Sequence, residues 1–197
     1  MIAAIFSGGE FDSVSILQYD ILICADKGYK YAQKLNLKPN YIIGDFDSLG
    51  YVPKNAEVYP VKKDASDTQI AIDKAIDLGA SEIHLYYSLG GRIDHLLFNI
   101  NLIKYAKDKG AKLKIISKDC EIFLVDKSVE FSTVKGNNVS LVPFSNQAHI
   151  IDSSGLYYPL KNVIVKKGET LTLSNVAVKK EVKIEVESGE LIVVNFL

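Results

Sequence analysis

The chain has few thiols and almost no excess of either charge. Cysteine occurs twice in 197 residues, as Cys24 in ILICAD and Cys120 in DCEIFLVD. Both lie in apolar runs, without metal-ligand spacing or a disulfide framework, so both are expected to be buried thiols. The formal net charge is −1, which argues against a general nucleic-acid binder that works by neutralising phosphates. No apolar run is long enough for a membrane span, and MIAAIFSGGEFD has no basic start and turns polar after six residues, unlike a secretory leader. A cytoplasmic protein that binds neither membrane nor nucleic acid is therefore expected. Also missing are the G-x-x-x-x-G-K-[ST] phosphate loop, the G-x-G-x-x-G fingerprint, H-E-x-x-H and G-x-S-x-G. Their absence argues against P-loop kinases, dinucleotide oxidoreductases, and zinc proteases and esterases of the usual kinds.

What is present is an ordinary globular composition, 48% hydrophobic and 24% charged, able to bury a core without help. Up to about residue 117, short apolar runs (IAAIF, ILICAD, YIIGD, EVYPV, EIHLYYS, KLKIIS) alternate with segments long enough for crossover helices. Across residues 66–79, Ser66 and Gln69 form a capping box, Ala71, Ile72, Ala75 and Ile76 share a face, and Gly79 ends the pattern. Leu96, Ile100 and Ile103 recur at helical spacing before the late lysines and Gly110. The alternation predicts an α/β domain with a mostly parallel sheet flanked by helices, placed at residues 1–122. From 123 to 197 the helical period is gone and short alternating runs predict an antiparallel, sandwich-like β domain. Lys167-Gly168 and Ser188-Gly189 are expected as its hairpin turns. No Pro/Ser-rich linker, repeat or low-complexity segment interrupts the chain.

The acids of the first half follow strand ends. Asp26 comes after ILICA, Asp45 and Asp47 after YIIG, Asp64 and Asp67 after VYPVKK, and Asp94 after LYYSLGGRI, with Asp12 a little beyond the first strand. An aspartate there is often only a cap or turn residue. Six at the ligand-collecting edge of a parallel sheet repel one another and call for a cation. Magnesium, which binds oxygen through one or two carboxylates together with substrate phosphates, fits best. Asp45 and Asp47, two apart on what reads as extended backbone, are expected to point the same way and share an ion. In SLGGRIDHLLFN, Gly90 and Gly91 allow close backbone approach, Arg92 suits phosphate, and Asp94 and His95 open a helix. The alternative is a tight turn in which Arg92 pairs with a neighbouring acid. His84 and His149 read as structural.

CADKGYKYA, PNYIIGDFDSL, KKDASDTQIAI and GGRIDHLLFNINLI, with SSGLYYPL and TLSN further on, resemble thiamine pyrophosphokinases over nearly the whole chain. That resemblance implies transfer of the β,γ-pyrophosphoryl group of ATP to thiamine, with Mg2+, giving thiamine diphosphate and AMP. It implies a homodimer whose active site lies at the subunit interface, between the α/β domain of one subunit and the β domain of the other. Matched by position, Asp45, Asp47 and Asp67 become metal ligands and, with Arg92 and Asp94, the catalytic set. The ATP side takes Asp26, Lys27, Asp64, Ser66, Gly90, Gly91 and His95; the thiamine side takes Tyr158, Ser174 and Asn175. Lys27 replaces a glycine of the more usual ADGG, Ser66 a frequent threonine, and Tyr158 an aromatic that is sometimes tryptophan. Lys27 either restricts backbone approach or adds a phosphate-binding charge. Two rival readings share these residues: a phosphohydrolase with an aspartyl nucleophile in DFDS, although such a site normally follows the first strand, and a non-catalytic nucleotide or thiamine sensor.

Overall fold

A computed structural model describes the chain from Met1 to Leu197 and divides it into two units, Met1–Lys118 and Asp119–Leu197. In the first, the apolar runs become β1 (Ile2–Phe6), β2 (Ile21–Ala25), β3 (Tyr41–Gly44), β4 (Glu57–Val58), β5 (Glu82–Tyr86) and β6 (Lys112–Ile116). Between them lie α1 (Gly28–Lys34), α2 (Asp67–Asp77) and α3 (Ile93–Asp108). The strands pair in parallel in the order β6-β5-β1-β2-β3-β4. EVYPV yields only a two-residue strand at the sheet edge, where Pro60 offers no N–H to prolong the ladder.

Both faces of this sheet are covered. Ala3, Ala4, Ile5 and Phe6 are all fully buried, and side chains of successive strand residues point to opposite faces. Tyr31 and Ala32 of α1 pack with Ala4, Phe6, Leu22 and Cys24. Helix α2 packs on β1, β2 and β3 and touches α3, which packs on β6. The Ser66 hydroxyl accepts the Gln69 N–H at 3.2 Å, a cap that stabilises by about 1 kcal/mol. Gly79, at φ +90°, follows the helix end. Ala71, Ile72 and Ala75 are buried as expected. In α3 Ile103 is buried as expected, together with Asn99, Leu102 and Ala106, while Leu96 and Ile100 are only partly buried. Its first turns stand clear of the sheet, leaving Ile93, Leu97 and Phe98 exposed.

Strand order sets the position of the cleft. From β1 the chain steps outward through β2 and β3 to β4, then returns to the other side of β1 for β5 and β6. The strand order thus reverses between β1 and β5, and such a switch point is where an open parallel sheet places its ligand crevice, outside the carboxyl ends of the strands.

The second unit contains β7 (Cys120–Val125), β8 (Val129–Ser132), β9 (Asn138–Pro143), β10 (Gln147–Ser154), β11 (Lys161–Lys166), β12 (Asn175–Val176), β13 (Glu181–Ser188) and β14 (Leu191–Phe196). Antiparallel pairing gives β12-β9-β14-β7 and β11-β10-β13-β8. Val139, Leu141, Leu191 and Val193 from the first sheet share one apolar core with Ile150, Val165, Val182 and Ile184 from the second. Neither expected hairpin forms. Lys167-Gly168 leads from β11 towards β12, and Ser188-Gly189 from β13 to β14; each passes from one sheet to the other. LTLS, residues 171–174, forms a turn rather than a strand continuation. A glycine at positive φ reverses the chain whichever sheet the next strand joins, so the dipeptide marks the turn and not the partner.

Candidate active site

Five segments, each following one of the strands β1 to β5, build the crevice. Ser7, Gly8 and Gly9 follow β1, and the Gly9 N–H donates to the Tyr87 carbonyl at 2.7 Å. A Cβ on Gly9 would stand 2.6 Å from that oxygen and 2.7 Å from the Leu89 carbonyl, so only glycine lets the loops after β1 and β5 lie this close. The hydroxyls of Ser7 and Thr68 are 2.7 Å apart and buried, which ties the first loop to the start of α2. The resulting cavity, about 690 Å³, lies within the first unit, and its walls include Asp26, Asp45, Asp47 and Asp67.

Asp26 follows β2 in a left-handed conformation, φ +46°, which aspartate tolerates better than most residues. Its N–H donates to the Ile43 carbonyl at 2.8 Å and one carboxylate oxygen accepts from the Ser48 hydroxyl at 2.6 Å. The other oxygen is buried without a hydrogen-bond partner. The backbone around Asp45 and Asp47 is not extended as expected: β3 stops at Gly44 and Phe46 sits at φ +61°. A turn achieves the convergence instead, with the Asp47 N–H donating to Asp45 Oδ1 at 3.2 Å. One oxygen from each of Asp26, Asp45 and Asp47 lies within 4.8 Å of the other two. An all-oxygen, acid-only set with an orphaned buried oxygen suits a hard divalent cation.

Asp67 stands apart from these three, linked to Asp45 through Lys63. The Lys63 ammonium lies 2.8 Å from Asp45 and 3.2 Å from Asp67. Its hydrogen bond holds the Asp45 carboxyl below the ordinary aspartate range despite partial burial. Burial dominates at Asp67 and pushes that carboxyl up against the pull of Lys63, with Asp45 and Asp26 adding to the rise. For Lys63 itself burial acts downward, but the hydrogen bonds to Asp45 and Asp67 outweigh it and raise the ammonium above the usual lysine value. Asp64 and Ser66 line the same wall. Lys27 precedes α1 in right-handed helical backbone, φ −55°, so its side chain creates no backbone conflict. Close approach falls on Gly28, whose added Cβ would meet the Phe6 carbonyl oxygen at 2.0 Å.

Across the cleft, Gly90 and Gly91 take φ +74° and +68°, and the Gly91 N–H donates to Glu10 at 3.2 Å. Arg92 and His95 line the cavity. Arg92 grips Asp94 through two bonds, Nη2 to Oδ2 at 2.5 Å and Nε to Oδ1 at 3.1 Å. This pairing, with the His95 N–H as a second donor, takes the exposed Asp94 carboxyl down to about 2. Asp94 is not part of the cavity wall; it follows the turn-and-pair alternative.

In the second unit, Asn175 is buried and joins Tyr158 twice, accepting its N–H at 3.0 Å and donating to its carbonyl at 2.7 Å. Ser174, at φ +55°, donates its N–H to the Ser140 hydroxyl at 2.9 Å. The three expected thiamine-side residues are thus brought together, with the Tyr158 ring exposed and set edge-on to Tyr157. His84 pairs with Glu82 at 2.8 Å and His149 with Glu187 and Asn162, away from the cleft. Sequence reasoning missed Lys63, the Ser7–Gly9 loop, Ser48 and Thr68. The glycine pair after IAAIF was a usable signal, whereas Lys63 carried no periodicity to single it out.

Comparison with known proteins gives a consistent answer. The family model described as thiamin pyrophosphokinase, catalytic domain, matches residues 14–115, and the one described as its vitamin B1 binding domain matches residues 122–191. Thiamine pyrophosphokinase of Bacillus subtilis (strain 168) is 29% identical over 188 residues, covering 90% of this chain and 87% of that protein. A crystal structure of thiamine pyrophosphokinase from Bacillus subtilis superposes with a TM-score of 0.88 at 25% identity, covering 100% of this chain and 99% of that one. The thiamin pyrophosphokinase from Candida albicans, at 18% identity and a TM-score of 0.77 over 100% of this chain and 88% of that one, shares the fold. With its catalytic-domain match alone spanning more than half the chain and its acids gathered at the switch point, this protein belongs to the thiamin pyrophosphokinase family.

Proposed function

We propose that the protein is a magnesium-dependent thiamine diphosphokinase that transfers the β,γ-pyrophosphoryl group of ATP to the hydroxyl of thiamine, releasing AMP. The observation that carries this reading is the convergence of Asp26, Asp45 and Asp47 within 4.8 Å at the switch-point cleft. Asp45 and Asp47, with Asp26, would hold Mg2+, and Asp67 would join them once Lys63 is displaced. The ion, when bound, supplies positive charge between the carboxylates and the triphosphate and disperses charge as the bond to AMP breaks.

Other steps belong to the chain itself. Gly90 and Gly91 bring backbone close to the phosphates, with Lys27, Asp64, Ser66 and His95 on the same side. Arg92, freed from Asp94, stabilises charge on the transferred group, so that catalysis is mostly positioning and electrostatics. Asp94 orients the thiamine hydroxyl. Tyr158 offers an aromatic face to the thiazolium cation, and Asn175 and Ser174 hold that segment in place. Exposed Ile93, Leu97 and Phe98 in one unit and Tyr157, Leu171 and Leu173 in the other are the kind of apolar surface that a homodimer covers, in keeping with an active site completed by the partner subunit. No helix is long and apolar enough to cross a membrane, and the burial of both Cys24 and Cys120 suits a reducing cytoplasm.

Incubation with ATP, magnesium and thiamine is expected to yield AMP and thiamine diphosphate. ADP with thiamine monophosphate, or undiminished turnover after chelation of all divalent metal, would overturn the reading. Replacing Tyr158 by alanine is expected to raise the thiamine KM about tenfold while the ATP KM stays within about twofold. A parallel rise in both constants would assign Tyr158 to structure instead.

A further inference from the structure

Lys63 occupies a place that the proposed reaction needs for something else. Its ammonium stands between Asp45 and Asp67, and the three side chains are only 13%, 11% and 18% accessible. Asp45 also belongs to the three-carboxylate group. Its Oδ2 faces Lys63 while Oδ1 accepts the Asp47 N–H, so the ammonium and a divalent ion must share one carboxylate. With no metal bound, Lys63 relieves the repulsion of the acid rim. Two further positive charges on Asp45 would lie within a few ångströms of Nζ, where like charges repel strongly in a half-buried cleft. The segment carrying Lys63, residues 61–66, has only bends and no regular ladder, and a lysine stem moves its head group by several ångströms without the backbone.

We infer that Lys63 is a positioning residue that exchanges partners. It neutralises Asp45 and Asp67 in the nucleotide-free protein, gives up Asp45 when metal arrives with its nucleotide, and passes its ammonium to an oxygen of the triphosphate. Metal alone then binds poorly because it must break the Lys63–Asp45 pair and leave the ammonium with Asp67 as its one carboxylate, beside the new positive charge. Metal with nucleotide binds well because the phosphates receive the lysine. The two ligands are thereby coupled, and the coupling is reciprocal. This inference rests on the proposed use of Mg2+ and ATP.

The test compares wild type with Lys63→Met and Lys63→Arg in the full chain, using calorimetric titration of Mn2+ alone and then of Mn2+ with α,β-methylene-ATP, whose transferable bond is blocked. Lys63→Met is expected to bind Mn2+ alone about fivefold or more tighter and the metal–nucleotide pair about tenfold or more weaker. Lys63→Arg, which keeps the charge, should stay nearer wild type in both. Lys63→Gln substitutes where the methionine variant does not fold. Equal affinity for Mn2+ alone in wild type and the neutral variants overturns the exchange. A matched weakening of both ligands with a lowered Tm also overturns it, because it makes Lys63 a merely structural residue. If wild type shows the Lys63 dependence but forms no thiamine diphosphate, the exchange stands and the assigned reaction falls. If it forms thiamine diphosphate while Mn2+ alone is indifferent to Lys63, the reverse holds.

Discussion

Asp45→Asn is expected to lower kcat/KM for ATP and thiamine on the order of 10³-fold, while the melting temperature moves by only about 2–4 °C. The separation of the two effects follows from the contacts. Asparagine keeps an oxygen to accept the Asp47 N–H that shapes the turn, and Lys63 keeps Asp67 as a partner. What disappears is one negative charge from the group formed with Asp26 and Asp47, and that charge cannot be restored by a neutral amide of the same shape. Relief of repulsion within the group partly offsets the lost ion pair, so stability changes little. Steady-state kinetics over a wide magnesium range, beside a thermal melt, measures both. Normal turnover across that range would end the metal-ligand assignment of Asp45.

The second large effect concerns folding. Gly28→Ala is expected to destabilise the first unit by about 3 kcal/mol or more, lowering its melting temperature by about 6–12 °C. A Cβ at that position would lie 2.0 Å from the Phe6 carbonyl oxygen and 2.5 Å from its carbonyl carbon. Backbone cannot yield as a flexible side chain would, because Phe6 is fully buried with its ring against Tyr86 and Tyr87, at 5.7 and 5.0 Å between centroids. Pushing α1 away would also disturb the packing of Tyr31 and Ala32 on the sheet. Lys27→Gly next to it should be nearly neutral, within about 1 kcal/mol, since Lys27 already has ordinary helical backbone. Thermal melts of the two variants decide the matter; an alanine at position 28 that melts like wild type would contradict the close helix-to-strand approach.

These two sites also show what could be read from the sequence. ILICA and YIIG were legible as buried parallel strands because apolar β-formers run without alternation and stop at aspartate or glycine. Ser66, Gln69 and Gly79 announced α2 because capping is a local interaction. The four acids Asp26, Asp45, Asp47 and Asp67 were legible as cleft residues from strand ends alone, and the structure does place them around one cavity. Their grouping was not legible. Which three converge depends on left-handed backbone at Asp26 and Phe46 and on how far β2 and β3 extend relative to each other. Lys63 went unnoticed for a related reason: its partners are 18 residues back and 4 residues on, in a stretch without periodicity. In the β half the turns were visible at Gly168 and Gly189, but strand partners are chosen by long-range pairing.

The wandering of the chain between its two β-sheets has a consequence for synthesis. β14 is the strand between β7 and β9, and β13 the strand between β10 and β8, yet these middle strands are the last of their unit to emerge from the ribosome. Until residues 181–196 are available, both layers are split down the centre with open edges on either side. The first unit has all its strands by Ile116 and can condense much earlier, so the nascent polypeptide matures in two separate stages, and its later half has the longer exposure to aggregation.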